Sequence, residues 1–173
     1  MKLKLTLLFV LLAVILGKFT YDQIVPPFKK GDAAPEFSLS DLDGKTVRFS
    51  DFSGGPLLVH FWATWCNQCV EELPSLSKFS EKFPDAKVVA ISEDEAGSDA
   101  VLKFFGNIKP SFLVLLDPEG HVADKYKSYK VPETYLIDKD GKILHHFIGA
   151  VSWTNPKVAS FIRGSIADSA AFE

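Results

Sequence analysis

The run Leu57-Leu58-Val59-His60-Phe61-Trp62 leads almost directly into Trp65-Cys66-Asn67-Gln68-Cys69, which holds the only two cysteines of the chain. A continuous apolar run of this kind reads as a strand buried on both faces, as in a parallel sheet. The stretch from Gln68 to Phe83 has helical apolar spacing at Val70, Leu73, Leu76, Phe79 and Phe83. The cysteine pair therefore sits where a buried strand turns into a helix. Two thiols with two residues between them can close a small disulfide ring on one helical turn, one that opens and closes reversibly. With no other cysteine to pair with, this site reads as redox chemistry.

The 173 residues allow one ordinary domain, and an apolar share of 47% is enough for a core. The net charge of -3 comes without a basic stripe, so nucleic acid is not an expected partner. Lys125-Tyr126-Lys127-Ser128-Tyr129-Lys130 interleaves charge with aromatics and reads as a solvated helix end and loop.

Glu36 to Leu39 and Thr46 to Phe49 alternate about Asp43-Gly44, a hairpin signature. Lys87 to Ser92 is a second buried strand, Asp99 to Asn107 a second helix, and Phe112 to Leu116 a further strand. Ala123 to Tyr126 is a short helix. Thr134 to Ile137 and Ile143 to Ile148 flank Asp140-Gly141 as a second hairpin, and Asn155 to Ile162 closes with a helix. This order predicts an α/β domain with a central mixed sheet and helices on both faces.

The N-terminus reads as a targeting signal. Lys2 and Lys4 precede an uncharged run from Leu5 to Gly17, and Lys18 follows. The run is short for a bilayer span, which needs roughly 20 residues, and typical of a signal-peptide core. No clear cleavage site follows it. An uncleaved signal-anchor over residues 1–20 is favoured over a cleaved signal, with the remainder exported. Residues 21–30, with Pro26-Pro27, form an extended tether, 31–164 the folded domain and 165–173 a flexible tail.

At the first turn of a helix, unpaired backbone N–H groups and the helix dipole favour thiolate over thiol. Cys66 is the expected nucleophile, and Cys69, one turn on, the resolving thiol. A zinc site needs four ligands, and His60, His121, His145 and His146 show no accompanying spacing, so no metal is expected.

Phe61-Trp62-Ala63-Thr64-Trp65-Cys66-x-x-Cys69-x-x-Glu72-x-Pro74 resembles the thioredoxin-like TlpA, ResA and CcmG/DsbE family of exported thiol-disulfide oxidoreductases. Val131-Pro132-Glu133-Thr134-Tyr135-Leu136-Ile137-Asp138 is similar to that family's cis-proline segment, and Pro35-Glu36-Phe37-Ser38-Leu39 with Asp43-Gly44 to its opening hairpin. The resemblance implies a thioredoxin fold with an N-terminal β-hairpin extension and a βα insertion. It implies that Pro132 is cis and faces the cysteines, with the Val131 backbone free to pair with an extended substrate. It makes Glu72 an acid that moves protons or tunes the thiols. His60 stands where the family often has Asn, and reads either as a proton relay or as a neutral core histidine. Asn67 and Gln68 depart from the family, which commonly has proline there, and with Trp65 and Val131 they are candidate substrate contacts.

The implied function is reduction of disulfides in exported proteins by a membrane-tethered monomer with no cofactor beyond the Cys66–Cys69 disulfide. Apocytochrome c, in cytochrome c maturation, is one such substrate. A membrane electron donor of the CcdA/DsbD type would re-reduce the pair. One rival is a thiol peroxidase, although Val59 and Ala63 occupy the Pro and Thr places of the peroxidatic P-x-x-x-T-x-x-C pattern. The other is a non-catalytic module that binds or chaperones a thiol protein.

Overall fold

The structure is a computed structural model that describes residues 10–12, 14 and 28–170. The expected signal-anchor (1–20) lies almost wholly outside the described residues, as do 21–27 of the tether and 171–173 of the tail. Among the described residues, no helix is long and apolar enough to cross a membrane.

A hairpin opens the domain: β1 (Ser38–Asp41) and β2 (Thr46–Arg48), turning through Asp43-Gly44, with a 3-10 turn at Phe49–Phe52. Next come β3 (Leu57–Trp62), α1 (Asn67–Lys82), β4 (Lys87–Ser92), α2 (Ser98–Phe105) and β5 (Leu113–Leu116). The chain continues through α3 (His121–Tyr126), β6 (Glu133–Ile137), β7 (Ile143–Ile148) and α4 (Pro156–Ala170). The strands form one seven-stranded mixed sheet in the order β2-β1-β5-β4-β3-β6-β7. This is the expected thioredoxin-like architecture. The added hairpin pairs antiparallel with β5, and the β4–α2–β5 unit supplies the extra parallel strand.

All six residues of β3 are buried, as its unbroken apolar run predicts. Alternation sends Leu58 and Trp62 to one face, where they pack with Leu73, Leu76 and Phe79 of α1, Val101 and Phe105 of α2 and Ile162 of α4. Leu57, Val59 and Phe61 go to the other face, against Val122, Ala123 and Tyr126 of α3 and Phe37 and Val47 of the hairpin. Register does the rest. β3 runs parallel to β4, with Trp62 opposite Ser92, and antiparallel to β6, with Phe61 opposite Glu133. The end of β3 that leads to the cysteines therefore lies beside the start of β6, which follows Pro132.

Two expectations need correction. The final helix does not end near Ile162 but continues to Ala170, so residues assigned to a tail from Ser165 are helical. Polar composition there reflects an exposed helix face rather than a chain end. The Lys125–Lys130 run is also not wholly solvated, because Tyr126 and Ser128 are buried while the lysines stay outside. The Asp117 carboxylate accepts the N–H groups of Val122 and Ala123 and so holds the short α3 in place.

Leu76 is fully buried between α1 and the sheet. Leu76→Ala is expected to lower unfolding free energy by about 2–5 kcal/mol, read from the shift of a urea unfolding midpoint with unchanged slope.

Candidate active site

Cys66 and Cys69 are joined as a disulfide, with Cα atoms 5.3 Å apart. Cys66 is the N-cap of α1, and its Sγ accepts the Cys69 N–H at 3.2 Å. Thiolate charge on Cys66 in the reduced protein would meet that same N–H and the positive end of the helix. Access separates the two sulfurs: Cys66 is half-buried, whereas Cys69 is 0% exposed. Only Cys66 can meet an incoming disulfide.

The Val131–Pro132 peptide bond is cis, and the Val131 carbonyl oxygen lies 3.6 Å from Cys66 Sγ. Among the described residues none accepts the Val131 N–H. Trp65 is 66% exposed beside Cys66, and Asn67 and Gln68 are exposed on the first turn of α1. The sequence-predicted contacts thus cluster at one rim. Tyr129, two residues before Val131, and Ile148, opposite Glu133 across the β6–β7 ladder, are further exposed apolar side chains, at 70% and 68%.

Glu72 lies one helical turn beyond Cys69 and is buried. Its Oε2 accepts the Val151 N–H at 2.7 Å, and Oε1 accepts the Trp153 indole N–H at 3.5 Å. Burial raises its carboxyl to about 7, although these two hydrogen bonds pull the other way. His60 Nε2 lies 3.4 Å from Glu72 Oε1, and its Nδ1 is 2.9 Å from Thr134 Oγ1. Burial pushes the imidazole down to about 3, so His60 is neutral and the contact is not an ion pair. Nor is it aligned as a hydrogen bond, which leaves Nε2 facing the carboxyl without another partner.

The structure brings in residues the sequence reading did not single out. Asp94, just past β4, accepts from Thr64 N–H (3.0 Å), Thr64 Oγ1 (2.6 Å) and Ser92 Oγ (2.8 Å), and so fixes the loop that carries Trp65 and Cys66. Glu93 beside it is raised to about 7 by burial and by the charges of Asp117, Glu133 and Asp124. The signal was present: Glu93-Asp94-Glu95 follows a buried strand, and sites collect at the carboxyl ends of such strands. A cavity of about 320 Å³ lies away from the cysteines, lined by Phe49, Leu57 and Ile137 at the start of β3.

Glu72 makes stability depend on pH. The folded chain keeps this proton up to about pH 7, whereas an ordinary carboxyl near 4.5 has released it, so the folded chain binds more protons between those values. Stability from this group therefore falls as pH rises through that window. His60 works in the opposite sense, its contribution being lost as pH falls from 6.5 toward 3. Glu72→Gln removes the first effect and leaves the second. At about 1.4 kcal/mol per unit, wild type is expected to lose roughly 2–3 kcal/mol relative to Glu72→Gln between about pH 5 and about pH 8. Urea unfolding across that range checks this, and curves that stay parallel contradict it.

Comparison with known proteins agrees with this geometry. Residues 30–146 match the AhpC/TSA family. The thiol-disulfide oxidoreductase ResA of Bacillus thuringiensis subsp. konkukian is 33% identical over 134 residues, 77% of this chain and 76% of ResA. A Chlorobium tepidum protein described as the thiol:disulfide interchange protein DsbE superposes with a TM-score of 0.73 at 29% identity, covering 80% of this chain and 99% of its own. A secreted disulfide oxidoreductase of Mycobacterium tuberculosis shares the fold, with a TM-score of 0.65 at 24% identity, over 74% of this chain and 95% of its own. Matched over this span, and with its two cysteines joined at a strand-to-helix junction, the chain belongs to the AhpC/TSA family and is a thiol-disulfide oxidoreductase of the ResA type.

Proposed function

We propose that the chain reduces disulfides in exported polypeptides, using Cys66 as nucleophile and Cys69 as resolving thiol. The observation that carries this reading is the asymmetry of the pair. Cys66 lies at the rim, next to the Val131 carbonyl, and Cys69 is sealed beneath it. The Cys66 thiolate attacks one substrate sulfur, the substrate S–S bond breaks, and the first substrate thiolate leaves and takes up a proton. The Cys69 thiolate then attacks Cys66 Sγ and expels the second substrate thiolate. Two electrons pass to the substrate and the Cys66–Cys69 disulfide forms.

Glu72 supplies the base for that second step. A carboxyl at about 7 is ionised in part of the population at neutral pH, and it can take the Cys69 proton in surroundings where water is scarce. The Val151 N–H and the Trp153 indole N–H orient Glu72, and His60, neutral throughout this range, packs against it. Trp65, Tyr129 and Ile148 give an extended polypeptide an apolar rim, and the free Val131 N–H gives it a backbone partner. Apocytochrome c fits this substrate class. The thiol-peroxidase alternative has little support in the site, since Val59 and Ala63 are buried and apolar at the places where that chemistry needs Pro and Thr.

The secreted Mycobacterium tuberculosis relative and the Lys2–Lys18 segment support a domain held outside the cytoplasm by an N-terminal anchor. A dithiol reductant there is consumed by each turnover, so a membrane electron donor of the CcdA/DsbD type completes the cycle.

Cys69→Ser is expected to accumulate covalent polypeptide adducts on Cys66 that reducing agent releases, and Cys66→Ser to form none, both read on non-reducing gels. Reduced wild type is expected to reduce insulin. Failure on insulin and on every model disulfide would remove the reductase reading, and a Cys69→Ser protein free of adducts would favour a non-catalytic binding module.

A further inference from the structure

Glu133 directly follows Pro132 and lies on the opposite sheet face from Glu72, paired in register with Phe61. Its carboxylate is engaged at both ends. Oε1 accepts the Lys130 N–H at 3.2 Å, and Oε2 accepts the His146 Nε2–H at 2.7 Å, with both side chains only 7% exposed. His146 Nδ1 is buried with no partner, so the ring proton belongs on Nε2, where the carboxylate receives it. The imidazole stacks on Tyr135 with ring centroids 4.0 Å apart and planes 10° from parallel. Tyr135 is itself anchored by its hydroxyl, which donates to the Tyr126 carbonyl at 2.6 Å.

The bridge from Lys130 to Glu133 spans Val131, whose carbonyl lies against Cys66 Sγ, and the cis Pro132. Its outer end is held by His146 on the neighbouring strand. A buried carboxylate bound from two sides has one orientation, whereas one that loses a partner must turn or draw in water. Among the described residues, the hydrogen bond of His146 goes to Glu133 and its ring contact to Tyr135.

We propose that His146 is a positioning residue that fixes Glu133, and through it the Val131 backbone edge, and thereby sets the preference for polypeptide disulfides over small ones. This rests on the reading above, in which an extended substrate pairs with Val131. A polypeptide needs that edge in line with Cys66 Sγ. A small disulfide needs only the sulfur. The pair thus governs which substrates the dithiol serves without altering the thiol chemistry.

The test compares reduced wild type with His146→Asn, too short to reach Glu133, and His146→Gln, whose amide N–H reaches it. Insulin serves as polypeptide disulfide and 5,5′-dithiobis(2-nitrobenzoate) as small disulfide. For His146→Asn, kcat/KM on insulin is expected to fall about tenfold, the size of one lost charge-assisted hydrogen bond. The rate with the small disulfide should stay within about twofold, and His146→Gln should recover most of the insulin activity. Equal losses on both substrates, or no loss on insulin, would overturn the proposal. A wild type that reduces the small disulfide but not insulin would overturn the polypeptide reading itself, before any variant is compared. Amide hydrogen exchange on the unaltered protein gives a check independent of variant folding. The Lys130 amide must be protected, and exchange at the rate of an open loop would refute the bridge.

Discussion

The double burial of β3 is the constraint from which the rest of the molecule follows. A strand covered on both faces must sit inside a sheet, with a ladder neighbour along each edge. Here β4 runs parallel on one edge and β6 antiparallel on the other. Parallel pairing with β4 requires a crossover, which α1 provides, so the helix begins just past the carboxyl end of β3. Antiparallel pairing with β6 brings the start of that strand, and Pro132 ahead of it, to the same end. Cys66 and Val131 meet there because the register leaves them no other place.

The same arrangement sets the electrostatics. At the carboxyl end of the sheet, His60 and Thr134 face α1, while Glu133 faces α3. Glu72 enters from α1 and Glu93 from the end of β4, both raised by removal from water. The disulfide thus lies at a helix N-terminus, which favours sulfur anions, one turn from the buried Glu72, whose carboxyl exchanges protons close to neutral pH. Asp94 serves the loop instead. Its oxygens are taken by Thr64 and Ser92, and it holds the loop before Cys66.

Much of this was legible in the sequence because it is local. The spacing of Cys66 and Cys69, the apolar run before them and the hairpins about Asp43-Gly44 and Asp140-Gly141 are short-range patterns, and these elements formed there, with the first strand displaced from the expected Glu36–Leu39 to Ser38–Asp41. The proline segment at Val131-Pro132 was legible through resemblance to a family. What stayed hidden depends on pairing across the chain. Glu72 meets Val151 at a separation of 79 residues, and His60 meets Thr134 at 74. Helical spacing puts Glu72 on the same face as Cys69, Leu73 and Leu76 and leaves Glu71 exposed, but it does not say which groups from elsewhere in the chain meet the carboxyl. His146 looked like one of several histidines without ligand spacing, because its partner Glu133 lies across a hairpin whose register only the fold decides. The length of α4 was missed for another reason, as its last turns carry small and polar residues that also suit a loose tail.

Proton transfer by Glu72 is open to a direct kinetic measurement. Trp65 beside Cys66 gives a fluorescence signal, so closure of the Cys66–Cys69 disulfide from a preformed mixed disulfide can be followed by stopped flow across pH. In wild type the rate should rise through about pH 7 as the Glu72 carboxyl ionises. In Glu72→Gln that rise should vanish, leaving a slower profile governed by the thiol alone. Superimposable profiles for the two proteins would contradict a proton-carrying role for Glu72.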